Sequence, residues 1–566
     1  MKTLKIFTDN YSGYTGDITF YPYTGGTINI GPQVLPYDYD TYYYYGTYEI
    51  YFSVFNKTCT LNYPPPACDF SGSVAITSFI STWQTDNEGQ TAPDQIGIVL
   101  DASGTFDFVI DWGDGNTDTI TSYNQPELIH TYSSIGTYTI TMTGVIEGFF
   151  VGNYYGDYGK ILSIQQWGNV KLIDGGYQFY YCYNLDLSTV NDILDTSNLT
   201  DISYIFGECY GLTGINNIEL WNISNFTSLE GLFYYTQFNQ DLSYLDVSNV
   251  TNMGYMFFDT PFNQPIGNWD VSSVLYMNGM FGYSQFNQPL SGWNVLNVTD
   301  MSYLFYNSQF NQDIGNWDVL NVTNMFAMFY SSQFNQPIGN WNVSNVIYMN
   351  SMFQQSQFNQ NINNWNVSNV INIGYMFYGS PFNQPLSGWN VSNIINMDSV
   401  FRNSINFNQP IGNWNVSKVT TMGYMFSNSP FNQPIDSWNV SGVTSMQGMF
   451  SYNTNFNQPL SGWNVSKVIY MSEMFKNSSF DQNIGNWNIS GVTYFVNFMD
   501  GKTPLTFSTT NLNSIYNGWS TKNPKPNLNI SFGSAKYTPA GIAGKSILTD
   551  PILSGGYNWT ITDGGI

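Results

Sequence analysis

A single histidine, His130, stands among 39 aspartate and glutamate side chains and 14 lysines and arginines. Nucleophilic catalysis of the Ser-His-Asp or Cys-His kind therefore has one imidazole to draw on. Carboxylates alone would suffice for a glycosidase, which needs two of them about 5–10 Å apart. Asp241, Asp313 and Asp481 are the candidates, but they are scattered, and Asp241 and Asp313 replace a proline of the local pattern. No Walker loop, GxGxxG or zinc spacing is present. The chain reads as non-enzymatic, with no catalytic, cofactor-binding or metal residues assigned, and a polysaccharide-degrading spike is the less favoured alternative. The acids lack the regular spacing of an EF-hand or a calcium-binding nonapeptide, which leaves a structural Ca²⁺ open and no other cofactor expected.

The four cysteines offer thiol or disulfide chemistry. Cys59 and Cys68 flank Pro64-Pro65-Pro66, and a stapled loop and two free thiols stand equally open. Cys182 and Cys209 are 27 residues apart, one early repeat, and should stack. A disulfide between them requires matching Cβ directions, and two buried thiols are the preferred reading.

What must position all of these is a repeat. Trp269, Trp293, Trp317, Trp341, Trp365 and Trp389 recur every 24 residues, and Trp414, Trp438, Trp463 and Trp487 continue after one-residue insertions before Phe407 and Phe456. Between them Phe-Asn-Gln recurs from Phe238 to Phe456, and Phe480-Asp481-Gln482 is an altered last copy. Such a period marks a solenoid or array. Trp167, Leu194, Trp221 and Leu245 extend it toward the N-terminus, giving about 14 coils of 24–27 residues. At about 4.8 Å per stacked layer these would form a rod of roughly 65 Å.

Within a coil, Val322, Met325, Met328 and Phe329 suit a short helical turn facing a core, followed by an extended segment whose inward residues are Phe334, Ile338 and Trp341. Pro337 argues against a regular strand there. Asn335 and its counterparts should form a ladder of side-chain amide hydrogen bonds. Triplets such as Asn297-Val298-Thr299 and Asn342-Val343-Ser344 match glycosylation acceptors, but turn capping is the preferred reading. With the conserved-looking positions committed to scaffold, a ligand should be read by the variable ones between them, such as Tyr283, Tyr306, Tyr330 and Gln354.

The series Trp-Asn-Val-Ser-Asn-Val-Thr-x-Met-x-x-Met-Phe followed by Phe-Asn-Gln-Pro-Ile resembles the BspA-like class of leucine-rich repeat surface proteins over residues 160–500. Upstream, Trp112-Gly113-Asp114-Gly115, His130-Thr131-Tyr132 and Gly136-Thr137-Tyr138 resemble a PKD domain, an immunoglobulin-like β-sandwich, over residues 71–150. In that pattern the place of His130 is structural. Residues 1–70 read as short strands, including Asp17–Tyr21, Thr27–Ile30 and Gly46–Phe55, and are similar to β modules that begin some phage structural proteins. Residues 501–566 leave the period, and look like the closing module found after such repeats, with a short helix near Ala540–Leu548. The fold class expected is mainly β: a leucine-rich-repeat-type solenoid preceded by β-sandwich modules and closed by a small C-terminal cap.

The formal charge of −25 opposes binding to nucleic acid. No run of 18 apolar residues suggests membrane insertion, and Met1–Asn10 has no apolar h-region, so no secretory signal is read. The expectation is a virion-surface attachment, fibre or decoration protein, released with the particle on host lysis. It would be anchored to other virion proteins through residues 1–70, face a host glycan or protein, and leave homo-oligomerisation open. A bacterial cell-surface or extracellular adhesin is the alternative.

Overall fold

The computed structural model describes residues 78–152 and 156–566 in full and, before them, the backbones of Lys2–Lys5, Asp17–Phe20, Tyr48–Phe52 and Lys57–Leu61. The first two of these four strands pair antiparallel, as do the last two. The Cys59–Cys68 question and the Thr27–Ile30 strand lie outside the described residues.

Strict alternation builds the first sheet. In Phe106–Asp111, Phe108 and Ile110 point inward while Asp107, Val109 and Asp111 face solvent, the period-two signature of a half-buried strand. We number the strands of this sheet β1 (Ser78–Gln84), β2 (Phe106–Asp111), β3 (Thr117–Ile120), β4 (Thr137–Glu147), β5 (Ile161–Gln166) and β6 (Val170–Lys171). The order is β5-β1-β4-β2-β3, antiparallel throughout, with β6 added parallel to the far end of β4. The turn from β2 to β3 passes Gly113 at φ +78°, where a Cβ would lie 2.4 Å from the Thr139 carbonyl oxygen, so only glycine fits. Two smaller pairs, Gln95–Gly97 with Ile129–Thr131 and Val99–Leu100 with Phe149–Phe150, complete this part.

An edge strand leaves unpaired backbone groups, and here the repeats cover them. Strand β5 pairs with β1 on one side and, through Ser163, makes a parallel bridge to Asp186 on the other. From Asp201 an unbroken series of parallel bridges runs through Ser228, Asn252, Tyr276, Asp300, Asn324, Tyr348, Asn372, Asn396, Thr421, Ser445 and Tyr470 to Tyr494, one residue per repeat. The repeats are therefore stacked in parallel register. Phe79, Phe149, Trp167 and Phe179 contact one another where sheet meets stack, and one hydrophobic core runs from Phe79 to Trp559. The architecture is mainly strand and turn, with few helical residues.

The expected inward residues are all buried: Val322, Met325, Met328, Phe329, Phe334, Ile338 and Trp341. The expected helical turn is not there. Residues 326–331 form successive turns, broken by left-handed backbone at Ala327 (φ 52°) and Ser331 (φ 52°). The same two slots are left-handed in repeat after repeat, as at Tyr255 and Asp259 or Tyr303 and Asn307. This conformation turns alternate amides along the stack. Met325, Ala327, Phe329 and Ser331 donate their N–H groups to the carbonyls of Tyr348, Asn350, Met352 and Gln354 in the next repeat, at 2.7–3.1 Å. Continued helix would have spent those donors within the repeat.

Two side-chain columns lock the register. The tryptophan rings from Trp293 to Trp487 lie parallel within 6°, their centres 6.4–6.5 Å apart. Each indole N–H donates to a carbonyl of the preceding repeat, as Trp341 does to Ile314 at 3.1 Å. The asparagine column does carry side-chain amide bonds from repeat to repeat, but glutamine supplies the donor in place of asparagine, as Gln336 Nε2 does to Asn311 Oδ1 at 3.2 Å. Asn311 Oδ1 accepts the backbone N–H of Asn335 at 2.9 Å, and Gln336 Nε2 donates to the Asn311 carbonyl oxygen at 3.0 Å. Asparagine thus serves as acceptor and glutamine as donor. Asn342 Oδ1 caps a turn by accepting from Ser344 N–H, whereas Asn297 Nδ2 reaches back to the Ser272 carbonyl. The insertion before Phe407 is accommodated by letting Ile405 protrude, 71% exposed.

The far end is closed by helices α1 (Thr509–Trp519) and α2 (Ile542–Thr549), the latter close to the expected helix near Ala540–Leu548. Trp519 of α1 stacks on Phe495 and donates its indole N–H to Ile484 at 3.0 Å, continuing the bond made by every tryptophan of the column. A Cβ on Gly518 would lie 1.9 Å from the Gly485 carbonyl oxygen, so the helix can rest on the last repeat only at a glycine. Lys502 is buried, and its Nζ donates to the carbonyls of Ser478 and Phe480 at 2.6 and 2.7 Å.

Two outcomes follow. Asn335→Asp, which keeps the acceptor oxygen, should change the urea midpoint little, whereas Asn335→Leu leaves an N–H unpaired and should cost about 1–3 kcal/mol. Comparable losses in both variants would instead require the Asn335 amide N–H as a donor, as in an asparagine-to-asparagine ladder. Burial lowers the Lys502 pKa to about 7, so between that pH and the ordinary lysine range the unfolded chain holds the extra proton. Stability should therefore rise with pH across that window. A thermal melt of Lys502→Met should lack this rise.

Candidate functional site

One slot after the buried apolar-Phe pair carries partly exposed side chains between Tyr234 and Arg402, and small buried residues at Gly282, Ser427 and Ser451. It holds Tyr234, Phe258, Gly282, Tyr306, Tyr330, Gln354, Tyr378 and Arg402 in succession, and the neighbouring left-handed slot holds Tyr235, Asp259, Tyr283 and Asn307. Three of the four sequence-predicted residues, Tyr306, Tyr330 and Gln354, thus share one column, and Tyr283 lies beside it. The rings of Tyr283 and Tyr306 are 5.2 Å apart, and those of Tyr306 and Tyr330 are stacked at 4.5 Å and 11°. Gln354 follows Tyr330, receiving the Ser331 N–H on its backbone carbonyl.

These rings belong to a longer belt that the sequence reading missed. Tyr177, Tyr204, Tyr234, Phe258 and Tyr283 touch in order at 5.2–5.6 Å, so ring contacts run unbroken from Tyr177 to Tyr330. Tyr303 adds an edge contact to Phe326 at 4.8 Å. Large residues in these slots are received by small ones. A Cβ at Gly279 would lie 2.4 Å from the Tyr255 ring, and one at Gly282 would lie 2.5 Å from Phe258. The signal available was this large–small alternation at one repeat spacing. Holding a bulky residue in left-handed backbone costs of order 1–2 kcal/mol, and ring packing on the next repeat offsets it.

The belt is polar at its rim. Tyr210 Oη donates to Glu208 at 3.1 Å and Tyr204 Oη to Glu230 at 3.4 Å. Burial raises the pKa of Tyr303 and, together with a hydrogen bond that the Tyr306 hydroxyl gives to Tyr283, that of Tyr306, so both remain neutral phenols. Tyr283 is 44% exposed while Tyr306 and Tyr330 are half-buried, which leaves ring faces and hydroxyls at the surface.

The other candidates are engaged elsewhere. His130 stacks on Trp112 at 4.9 Å and pairs with Asp114 at 2.9 Å. Asp241 and Asp313 accept the N–H groups of Ser243 and Gly315 in local turns, and Asp481 accepts from Ser508 and Asn511 at the start of α1. Cys182 and Cys209 are free thiols, both buried, and burial pushes both thiol pKa values up. Among the described residues no group of three or more His, Cys, Asp or Glu is gathered to hold a metal, and no helix is long and apolar enough to cross a membrane. A cleft of about 330 Å³ beside the sheet is lined by Leu100, Tyr123, Leu128 and Asp157. The Asp157 carboxylate there is taken up by Thr91 and Gly97.

Neither a curated protein nor a solved structure matches the chain. The family described as "Mycoplasma protein of unknown function, DUF285" matches residues 160–261, 200–309, 237–333, 283–384, 306–410, 356–430 and 400–511. These overlapping segments cover the stack from its junction with the sheet to the start of α1, well over half of the chain, and the chain belongs to that family.

Proposed function

We propose that this is a non-enzymatic surface protein that displays a leucine-rich-repeat-type solenoid for attachment to a host glycan or protein, carried on a virion. The observation behind this reading is the aromatic belt from Tyr177 to Tyr330. Its rings lie outside the core that holds the repeats together. Tyrosine surrounded by Ser, Asn and Gly supplies large contact area with adaptable hydrogen bonding, the composition of recognition surfaces. The engagement of Asp241, Asp313 and Asp481 in backbone contacts supports binding over hydrolysis. A PKD-like module over residues 71–150 would act as spacer, and residues 1–70 would anchor the protein to other virion components. Self-association into a homo-oligomer is compatible with this arrangement.

A bacterial cell-surface adhesin is the second reading, favoured by the family match, whose description names a bacterium. Labelling purified particles and cell envelopes with one antibody distinguishes the two settings.

Binding itself is tested with the fluorescently labelled full chain on intact host cells. The variant Tyr306→Ser/Tyr330→Ser places in that slot the residue that Ser427 and Ser451 already supply in later repeats, so the stack should survive. Removing two central aromatic anchors should weaken binding about tenfold or more. Wild-type binding by the variant, or no binding by either protein, would leave spacing or decoration as the function.

A further inference from the structure

Beyond the aromatic belt, in the same slot, stands Arg402, the only arginine in the chain. Its guanidinium lies 4.5 Å from the centre of the Tyr424 ring and 5.8 Å from that of Tyr378. In a protein of charge −25 it would be expected to find a carboxylate. Among the described residues it has no ion pair and no side-chain hydrogen bond. The acid nearest in sequence, Asp398, is committed to Gly423 N–H at 2.6 Å and to the Thr421 hydroxyl.

The two tyrosines are also set as donors. Tyr378 Oη accepts from Asn403 Nδ2 at 3.1 Å, and Tyr424 Oη accepts from Gln447 Nε2 at 2.9 Å. Asn403 is itself oriented by Asn428, whose Nδ2 donates to its Oδ1 at 3.0 Å. With their oxygens occupied, both phenols keep a hydroxyl proton for which the described residues supply no acceptor. A stacked guanidinium likewise keeps its in-plane N–H fork free. The cluster therefore presents N–H and O–H donors to an acceptor that the described residues do not provide.

From this we infer that Tyr378, Arg402 and Tyr424 bind the carboxylate of an acidic sugar. A planar guanidinium fork matches a carboxylate with two parallel hydrogen bonds, and the flanking rings suit the C–H face of a pyranose. The overall negative field disfavours densely sulfated polymers, while a carboxylate in contact with Arg402 is within the distance at which the local charge prevails over screening. The inference rests on the reading of the belt as a glycan-binding face and names the chemistry of one of its ends. The carboxylate could come from a terminal sialic acid or from a uronic acid within a polymer.

Calorimetric titration of the full chain separates these sources. The probes are sialyllactose and a glucuronate-containing tetrasaccharide, each as free acid and as methyl ester, with lactose as the neutral control. At least one acid should bind about tenfold more tightly than its ester, as expected for a charge-assisted bidentate pair. Arg402→Gln introduces the residue found at Gln354 in the same slot, and should abolish the preference while leaving the melting temperature unchanged. Tyr424→Phe should weaken acid binding by about tenfold, the worth of a single hydrogen bond to a charged group. Equal affinity for acid and ester, or an acid preference surviving in Arg402→Gln, overturns the inference. In the first case, if neutral sugar still binds and Tyr306→Ser/Tyr330→Ser abolishes that binding, glycan recognition by the belt stands without it. Absence of binding by every sugar overturns it as well, and the cell-binding assay then decides attachment separately.

Discussion

Backbone amides at alternate positions of each repeat must find carbonyls in the next one, and the structure is organised around that requirement. The bonds from Met325, Ala327, Phe329 and Ser331 to Tyr348, Asn350, Met352 and Gln354 fix both the direction of stacking and the number of residues per repeat. A slip of one residue would turn the donors away from their acceptors and move the buried Met and Phe side chains off the core. Insertions are accordingly confined to the stretch between this ladder and the Phe-Asn-Gln segment, where Ile405 can protrude without disturbing either. Left-handed backbone at two slots per repeat is the cost of aiming those amides along the stack.

The same register does two things at once. Inside, it superposes tryptophan on tryptophan and phenylalanine on phenylalanine, so that the indole N–H groups from Trp269 to Trp487 each meet a carbonyl one repeat away, whereas those of Trp167 and Trp221, before the register settles, find no partner among the described residues. Outside, it superposes the side chains of the variable slots, so a tyrosine in one repeat gains a tyrosine neighbour whenever the next repeat has one. Tyr306 and Tyr330 stack for that reason. Surface chemistry can therefore change from repeat to repeat while the scaffold stays constant, as when the slot passes from Tyr378 to Arg402 to Ser427.

Periodicity made most of the stack legible in advance, because residues 24 apart in a register-locked array are neighbours by construction. Hence the burial of Phe334, Ile338 and Trp341 and the stacking of Tyr306 on Tyr330 could be read from spacing alone. Spacing could not separate a helical turn from two tight turns, since both bring i and i+3 together, and tyrosine gives no hint of left-handed backbone. The asparagine ladder was located correctly, but residue types do not tell that each Asn oxygen accepts from the backbone N–H of the next Asn and from the glutamine amide beside it. Helix α1 was missed because Thr509–Trp519 is rich in Thr, Asn and Ser, weak helix formers. It is fixed by tertiary contacts instead: Asp481 at its start and Trp519 against Phe495. Arg402 carries no periodic signal, because arginine occurs once in the chain and the repeat pattern marks only what recurs.

The hydrogen bonds that join one repeat to the next lie along the stack, and this has a mechanical consequence. Pulled apart at its ends, the protein would load its inter-repeat contacts in series, so they would yield one at a time, the weakest first. Each 24-residue repeat set free would lengthen the chain by about 80 Å. Under tension such a molecule would lengthen in steps instead of failing at once.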